Sequence, residues 1–570
     1  MSSRPGAIAS RAVNQYRGRE IFSYLSLRYF LTGSYARRDE FARNDAVQIV
    51  RSTKTPAYHK SMFFKSIDEN GDIDQRAMHL PGAVETLAES ALLAECKTKG
   101  DVVDKEVCFS YWLSDEDSRK GSYEHYMVGL RARQKAIAQV LQGGQSSVVK
   151  YVDIKRFYPS ISYHNARSSW SVYCAEFDLD NKWVELGHNI LKKHAAVSDG
   201  YLLTGPMFSH FIANIVLRGI DAKSKLLPAK IFRYVDDFVL IGDEQAVDES
   251  ERKLANWLGE IGLELHGDDS GKTLKINRED WFRSKDDFEE GKIARGWFDL
   301  VGSLKKALIL KPEIYSTIQD AFLAEDIRLP LLNYETSVRE ATSFARVREL
   351  GLWAWLWSKF RGTSVDGIVD KAIELRARTL EELLVRLERD QHLEGFDRKR
   401  AITQLRFRLN RALYLVDREK LNKVISFRDS WPELEASFAL LGSLISRNCD
   451  YVVSLGSDVS QSSAQVFNSS LETAEFLQDI RSENQANAFA LFLANGVSVR
   501  GQTVVNTRGV EVAQGPIAVD QIISWSGFFQ EFASLHGVGE ARHKQCLSSA
   551  FDVAQEISFD ATSFDSGYYV

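Results

Sequence analysis

Three aspartates carry the clearest chemical signal in this sequence. Asp236 and Asp237 stand side by side in Arg233-Tyr234-Val235-Asp236-Asp237-Phe238-Val239-Leu240, with apolar residues on either side. Such a run fits a β-hairpin that buries its flanks and holds the acids at its tip, and two adjacent acids in that setting need a counter-ion. Asp153 ends a second apolar run, Val148-Val149-Lys150-Tyr151-Val152-Asp153. Carboxylates that converge from separate elements can hold two magnesium or manganese ions. Ions so held activate a 3′ hydroxyl, bind a triphosphate and stabilise departing pyrophosphate. A Tyr-x-Asp-Asp tetrad alone arises by chance in roughly one chain in twenty at this length and average composition, so it carries weight only with further motifs.

Elements able to position these acids follow from the patterning. From residue 147 to about residue 302, β-branched runs (VVKYVDI, IFRYVDDFVLIG, TLKIN) alternate with helical segments (MFSHFIANIVLRGID, AVDESERKLANWLGEIG), which predicts a mixed α+β domain. Residues 1–60 read as a helical extension, and the domain bearing the acids is expected over 61–302. Residues 303–570 read as almost wholly helical, with apolar residues at three- and four-residue spacing in segments such as TLEELLVRLERD. Breaks at Gly362, Gly395 and Trp431-Pro432 divide them into helices able to stack as a HEAT-like α-solenoid. Trp353, Trp355 and Trp357 read as packing residues, and a β-like, glycine-containing insertion interrupts the helices over 496–520.

Bulk properties narrow the function classes. At 570 residues, 44% hydrophobic and 26% charged, the chain is expected to fold as two to four domains. A net charge of −6 argues against a protein that coats nucleic acid indiscriminately, so any nucleic-acid surface is local. Basic residues cluster at Arg119, Lys120, Arg131, Arg133 and Lys135, and again from Arg376 to Arg418, where interleaved acids suggest a solvated helix face. No segment has the roughly 18 to 20 unbroken apolar residues of a membrane span, and the start has no apolar signal core, so no membrane partner and a cytoplasmic location are expected. Five scattered cysteines build neither a disulfide framework nor a metal site.

The ordered motifs between residues 148 and 302 resemble the reverse-transcriptase palm. An Asp on a strand followed by the aromatic pair Phe157-Tyr158 matches the first motif, and Tyr234-Val235-Asp236-Asp237 the third. Between them, Leu203-Thr204-Gly205 and the asparagine-bearing Met207–Leu217 segment are similar to the second, although the family commonly has Pro-Gln before the glycine. Ile261-Gly262-Leu263-Glu264-Leu265-His266 followed by Ser270-Gly271-Lys272-Thr273 resembles the fourth. Gly296-Trp297-Phe298-Asp299-Leu300-Val301-Gly302 resembles the hairpin that grips the primer.

The resemblance implies a right-hand palm and fingers followed by a large helical domain. It implies two Mg²⁺ or Mn²⁺ ions at Asp153, Ile154, Asp236 and Asp237, with Lys272 beside the leaving pyrophosphate. Phe157, Tyr158, Thr204, Gly205, Arg131 and Arg133 would bind the nucleotide. Tyr158 would occupy the space a ribose 2′ hydroxyl needs, so dNTPs are the expected substrate and DNA the product. Trp297, Phe298, Leu300 and Gly302 would grip primer and template.

A palm followed by a helical-repeat domain is similar to the bacterial abortive-infection and defence-associated reverse transcriptases. That similarity implies antiphage defence, synthesis that either dispenses with a template or copies a noncoding RNA, and a homo-oligomer among the possible assemblies. Some relatives of this kind prime on a protein side chain, which makes the hydroxyls of Tyr16, Tyr24, Tyr29, Tyr35, Tyr568 and Tyr569 candidate primers. The competing readings are a mobile-element enzyme that copies its own RNA and an inert nucleic-acid-binding scaffold.

Overall fold

A computed structural model describes residues 6–16, 35–54, 57–68, 70–115, 121–144, 148–267, 272–289, 292–311, 314–329, 364–470, 472–478, 482–494 and 497–501, with a few single residues and short strand pieces besides. These divide into two compact units, one drawn from 6–60 and 77–286, the other from 61–76 and the residues after 286. The division falls before residue 302, the expected boundary. Among the described residues no helix is long and apolar enough to cross a membrane.

The first unit contains α1 (Ala7–Tyr16), α2 (Ala83–Lys99), α3 (Tyr126–Gln142), β3 (Val148–Asp153), α4 (Phe157–Ser160), α5 (Tyr163–Glu176), α6 (Asn181–Val197), α7 (Met207–Ser224), β4 (Lys230–Tyr234), β5 (Asp237–Gly242), α8 (Glu244–Glu260), β6 (Leu274–Asn277) and α9, which begins at Arg278. The hairpin β1 (Tyr58–Ile67) and β2 (Ile73–Pro81) has its outer part, 61–76, in the second unit.

The four-stranded sheet runs in the order β4-β5-β3-β6 and is antiparallel throughout. Phe238, Val239, Leu240 and Ile241 are all buried, because α3 and α8 both pack on β5 and leave that strand no solvated face. Lys150 is buried in the next strand only because its Nζ lies 2.7 Å from Glu251 on α8. At the start of α8 the Asp243 side chain accepts the Ala246 N–H, and the helix gives way to Gly262 at φ +75°.

The second unit is mainly helical: α10 (Lys292–Leu310), α11 (Tyr315–Ala324), α12 (Val365–Arg389), α13 (Gly395–Ala412), α14 (Arg418–Ile425), α15 (Glu435–Ser446), α16 (Asp450–Leu455), α17 (Ser457–Ser470) and α18 (Glu483–Ala494). A small sheet pairs β7 (Thr473–Phe476) in parallel with β8 (Ser498–Gly501), so the insertion near residue 500 is β-structured where it is described. Trp431 is fully buried between α14 and α15, with its indole N–H donating to the Leu387 carbonyl. Trp353, Trp355, Trp357 and Gly362 lie outside the described residues.

Two expectations are corrected here. The segment 296–302 is part of α10 and not a hairpin. Its apolar residues show why: Trp297, Leu300, Val301, Leu304, Ala307 and Leu308 recur at helical spacing and are all buried, so a helix hides every one of them. The Arg376–Arg418 cluster is not uniformly a solvated face. Arg408 and Arg411 are buried on α13, the latter with its guanidinium over the rings of Phe407 and Trp297.

Candidate active site

The sheet brings two of the three aspartates face to face. Asp153 ends β3 and Asp237 begins β5, and they are direct partners across the antiparallel pair. Tyr234 pairs with Asp237 across β4 and β5, which leaves Val235 and Asp236 as a two-residue turn. Only Asp236 is therefore at the tip, and its carbonyl accepts the Ile154 N–H at 3.3 Å. Val235 sits at φ +60°, where tight hairpins favour glycine or asparagine. For a β-branched residue this costs on the order of 1–3 kcal/mol and persists only if neighbours enforce it.

Those neighbours form a buried polar floor. Residues 107–110 run alongside β4, where the Phe109 N–H donates to the Arg233 carbonyl and the Arg233 N–H to that of Val107. This delivers the Ser110 hydroxyl to the turn, where its oxygen accepts the Val235 N–H at 2.8 Å. The fully buried Arg233 donates to the Val235 carbonyl at 2.9 Å, to Asn214 at 3.1 Å, and in bidentate fashion to Asp221 at 2.8 and 2.6 Å. Both amide groups of the strained residue are thus held by side chains, and the guanidinium that holds one of them is itself neutralised.

The opposite side of the turn is short of compensation. Burial raises the Asp237 carboxyl above its ordinary pKa, although the Arg133 and Lys272 charges pull it down. Arg133 is 1% exposed, lies over the Tyr234 ring at 5.1 Å, and its Nε and Nη1 have no hydrogen-bond partner among the described residues. It is brought close because Gly129, one turn earlier on α3, lies against the Phe109 backbone, where a Cβ would come within 1.8 Å of the carbonyl oxygen. His266 donates its backbone N–H to the Asp153 carbonyl at 2.9 Å, and its Nε2 lies 3.8 Å from the Asp153 carboxylate.

The donor set here is all oxygen, which suits magnesium or manganese, and Asp237 is a buried carboxylate that a cation would stabilise. Among the described residues, no three His, Cys, Asp or Glu side chains form a group that could hold a metal ion.

The remaining nucleotide candidates fare differently. Tyr158 and Phe157 are buried on α4, directly after Asp153 and the left-handed Arg156 (φ +47°). Gly205, at φ +122°, is required by the protein itself: a Cβ would lie 2.5 Å from the His79 carbonyl, and the neighbouring Thr204 carbonyl accepts the His79 N–H at 2.7 Å. The expected close neighbour of that glycine was a nucleotide. Arg131 is exposed, since two helical residues differ by about 200° and Arg133 takes the inward side. Lys272 is exposed yet within electrostatic reach of Asp237.

Of the residues expected at the primer grip, Trp297 and Leu300 are buried in the second unit, Gly302 is exposed on the same helix, and Phe298 lies in that helix too. Tyr16 is 1% exposed within α1, so its hydroxyl is not available as a primer in this conformation. Tyr35 is exposed, but its hydroxyl donates to Asp45 at 2.7 Å, a bond that raises its pKa and opposes ionisation. Tyr24, Tyr29, Tyr568 and Tyr569 lie outside the described residues. Ser110, Asp221, Arg233 and His266 were not singled out from sequence. Arg233 alone left a trace, as a charge inside an apolar strand. No protein-family model matches this chain, and no curated protein matches it.

Proposed function

We propose that this chain is a metal-dependent DNA polymerase of the reverse-transcriptase kind, adding deoxynucleotides to a 3′ hydroxyl. The observation that carries the reading is the juxtaposition of Asp153 and Asp237 at the ends of paired strands, with Asp236 in the adjoining strained turn. Asp153, Asp236, Asp237 and the main chain at Ile154 would hold two divalent ions, which supply charge neutralisation at the reacting phosphate. Arg133 would take part of the triphosphate charge with its unpartnered N–H groups, and Lys272 would sit beside the leaving pyrophosphate. Tyr158 would exclude the 2′ hydroxyl.

On family resemblance the reading extends further. It describes a cytoplasmic enzyme of antiphage defence, primed on a protein tyrosine, that either copies a noncoding RNA or dispenses with a template. Tyr24, Tyr29, Tyr568 and Tyr569 are the candidate primers that the described residues leave open.

The test supplies the purified protein with each dNTP separately and together, with Mg²⁺ or Mn²⁺, and with or without RNA. Polymer should form and Asp236→Ala should abolish it while leaving the melting temperature close to that of the wild type. Near-normal synthesis by a well-folded Asp236→Ala protein would refute the assignment. Labelled product that stays with the protein after full denaturation, and is released in one Tyr→Phe variant, would identify the primer.

A further inference from the structure

We infer that His210 is a specificity-positioning residue: by tethering the Tyr158 hydroxyl it fixes the ring that decides between deoxyribose and ribose. This inference rests on the polymerase reading and names a part of the site that the sequence motifs do not assign. His210 lies on α7, one turn from the helix start, and is 6% exposed. The Tyr158 hydroxyl is hydrogen-bonded to its Nδ1 at 2.5 Å. On its other face the imidazole stacks on Tyr111, with ring centres 3.9 Å apart and planes 8° from parallel. Tyr123 meets it edge-on at 6.4 Å and is itself anchored, its hydroxyl donating to the Met207 carbonyl at 2.8 Å.

The cluster is continuous with the aspartates. Burial first, then the charges of Tyr111 and Asp236 and a hydrogen bond with the Tyr111 side chain, keep the Tyr158 phenol well above its ordinary pKa, so the hydroxyl retains its proton and Tyr111 shares the tether with His210. Tyr111 follows Ser110, whose oxygen holds the Val235 turn, and Tyr111 itself sits at φ +51°. One short segment therefore braces both the acid-bearing turn and the histidine that holds Tyr158.

A steric filter discriminates only as far as it resists yielding. An untethered phenol can swing aside when a 2′ hydroxyl presses on it, at the cost only of leaving its preferred rotamer. A phenol hydrogen-bonded to a clamped, buried imidazole must also break that bond. The tether thus adds to ribose rejection without touching the nucleotide.

The experiment compares incorporation of each dNTP with its matching rNTP by wild type, His210→Phe, His210→Asn, Tyr158→Phe and the His210→Phe/Tyr158→Phe double variant. His210→Phe keeps a stacking ring but removes the ring nitrogen bonded to the Tyr158 hydroxyl, and should weaken dNTP preference about five- to tenfold, the worth of one buried hydrogen bond. His210→Asn, whose amide oxygen can stand where Nδ1 does, should restore part of that preference. Tyr158→Phe should show a similar loss, and the double variant should lose no more than either single one. Should His210→Phe fail to fold, Tyr158→Phe reads the same bond with a smaller perturbation. Unchanged dNTP preference in folded, active His210→Phe and Tyr158→Phe proteins would overturn the tether alone. Wild-type protein that incorporates neither kind of nucleotide would overturn the polymerase reading and the tether with it.

Discussion

Two sides of one hairpin turn treat buried charge in opposite ways. Beneath it, Arg233 is fully buried and every direction of its guanidinium is used, on Asp221, Asn214 and the Val235 carbonyl. Above it, Arg133 is nearly as buried, but two of its nitrogens have no hydrogen-bond partner among the described residues, and Asp237 is short of positive charge. A satisfied network positions, since it gains nothing by moving. An unsatisfied one retains free energy that a ligand of the right charge can release. The contrast suits the floor to holding the strained turn, and on the proposed function it leaves the upper side for binding.

The largest expected effect is on stability at the floor. Arg233→Met strands Asp221 in the core and should cost about 3–5 kcal/mol, measured by chemical denaturation. A loss under about 1 kcal/mol would show that the floor does not carry the turn. The same substitution at Arg133 sharpens the comparison, because it removes a buried charge whose hydrogen bonds are incomplete and leaves Asp237 with Lys272 as its remaining compensating charge. Arg133→Met should cost clearly less stability than Arg233→Met, while nucleotide incorporation falls on the order of a hundredfold. Equal destabilisation by both variants would erase the distinction.

A smaller effect is expected at Ser110. Ser110→Ala removes the acceptor for the Val235 N–H and should cost about 1–3 kcal/mol, with kcat reduced more than the KM for dNTP. An increase in KM with kcat unchanged would place Ser110 in binding and not in positioning.

An effect of similar size, confined to one pH window, is expected at Glu89. Glu89 is buried on α2, accepts the Tyr58 hydroxyl at 2.8 Å and the Phe208 N–H at 3.0 Å, and burial pushes its carboxyl up to about 7. The native state therefore binds this proton more tightly than the unfolded chain. Its contribution to stability is full at acidic pH below the ordinary carboxyl range and is lost as pH rises through about 7. Between pH 5 and 8 the wild type should lose roughly 1–3 kcal/mol that Glu89→Gln does not lose. Parallel stability curves for the two proteins would refute this.

The acids were legible in the sequence because period and polarity conflict there: Asp153, Asp236 and Asp237 interrupt runs that otherwise read as buried strands. Helix α10 was equally legible, for its apolar spacing from Trp297 to Leu308 is helical, yet a short aromatic motif suggested a hairpin. Periodicity over twelve residues reflects the burial of a whole face, and a local match cannot outweigh it.

What the sequence by itself determined is local: strand and helix patterns, and acids at the ends of two strand-like runs. Tertiary structure alone decided which acids face each other, since the antiparallel register pairs Asp153 with Asp237, 84 positions further along the chain. It also decided that Arg133 turns inward while Arg131 does not, that His79 fills the space beside Gly205, and that Ser110 and His210 reach the turn and Tyr158. Each of these is a contact between residues distant in the chain. Their energies depend on approach distance and burial, which no local pattern encodes.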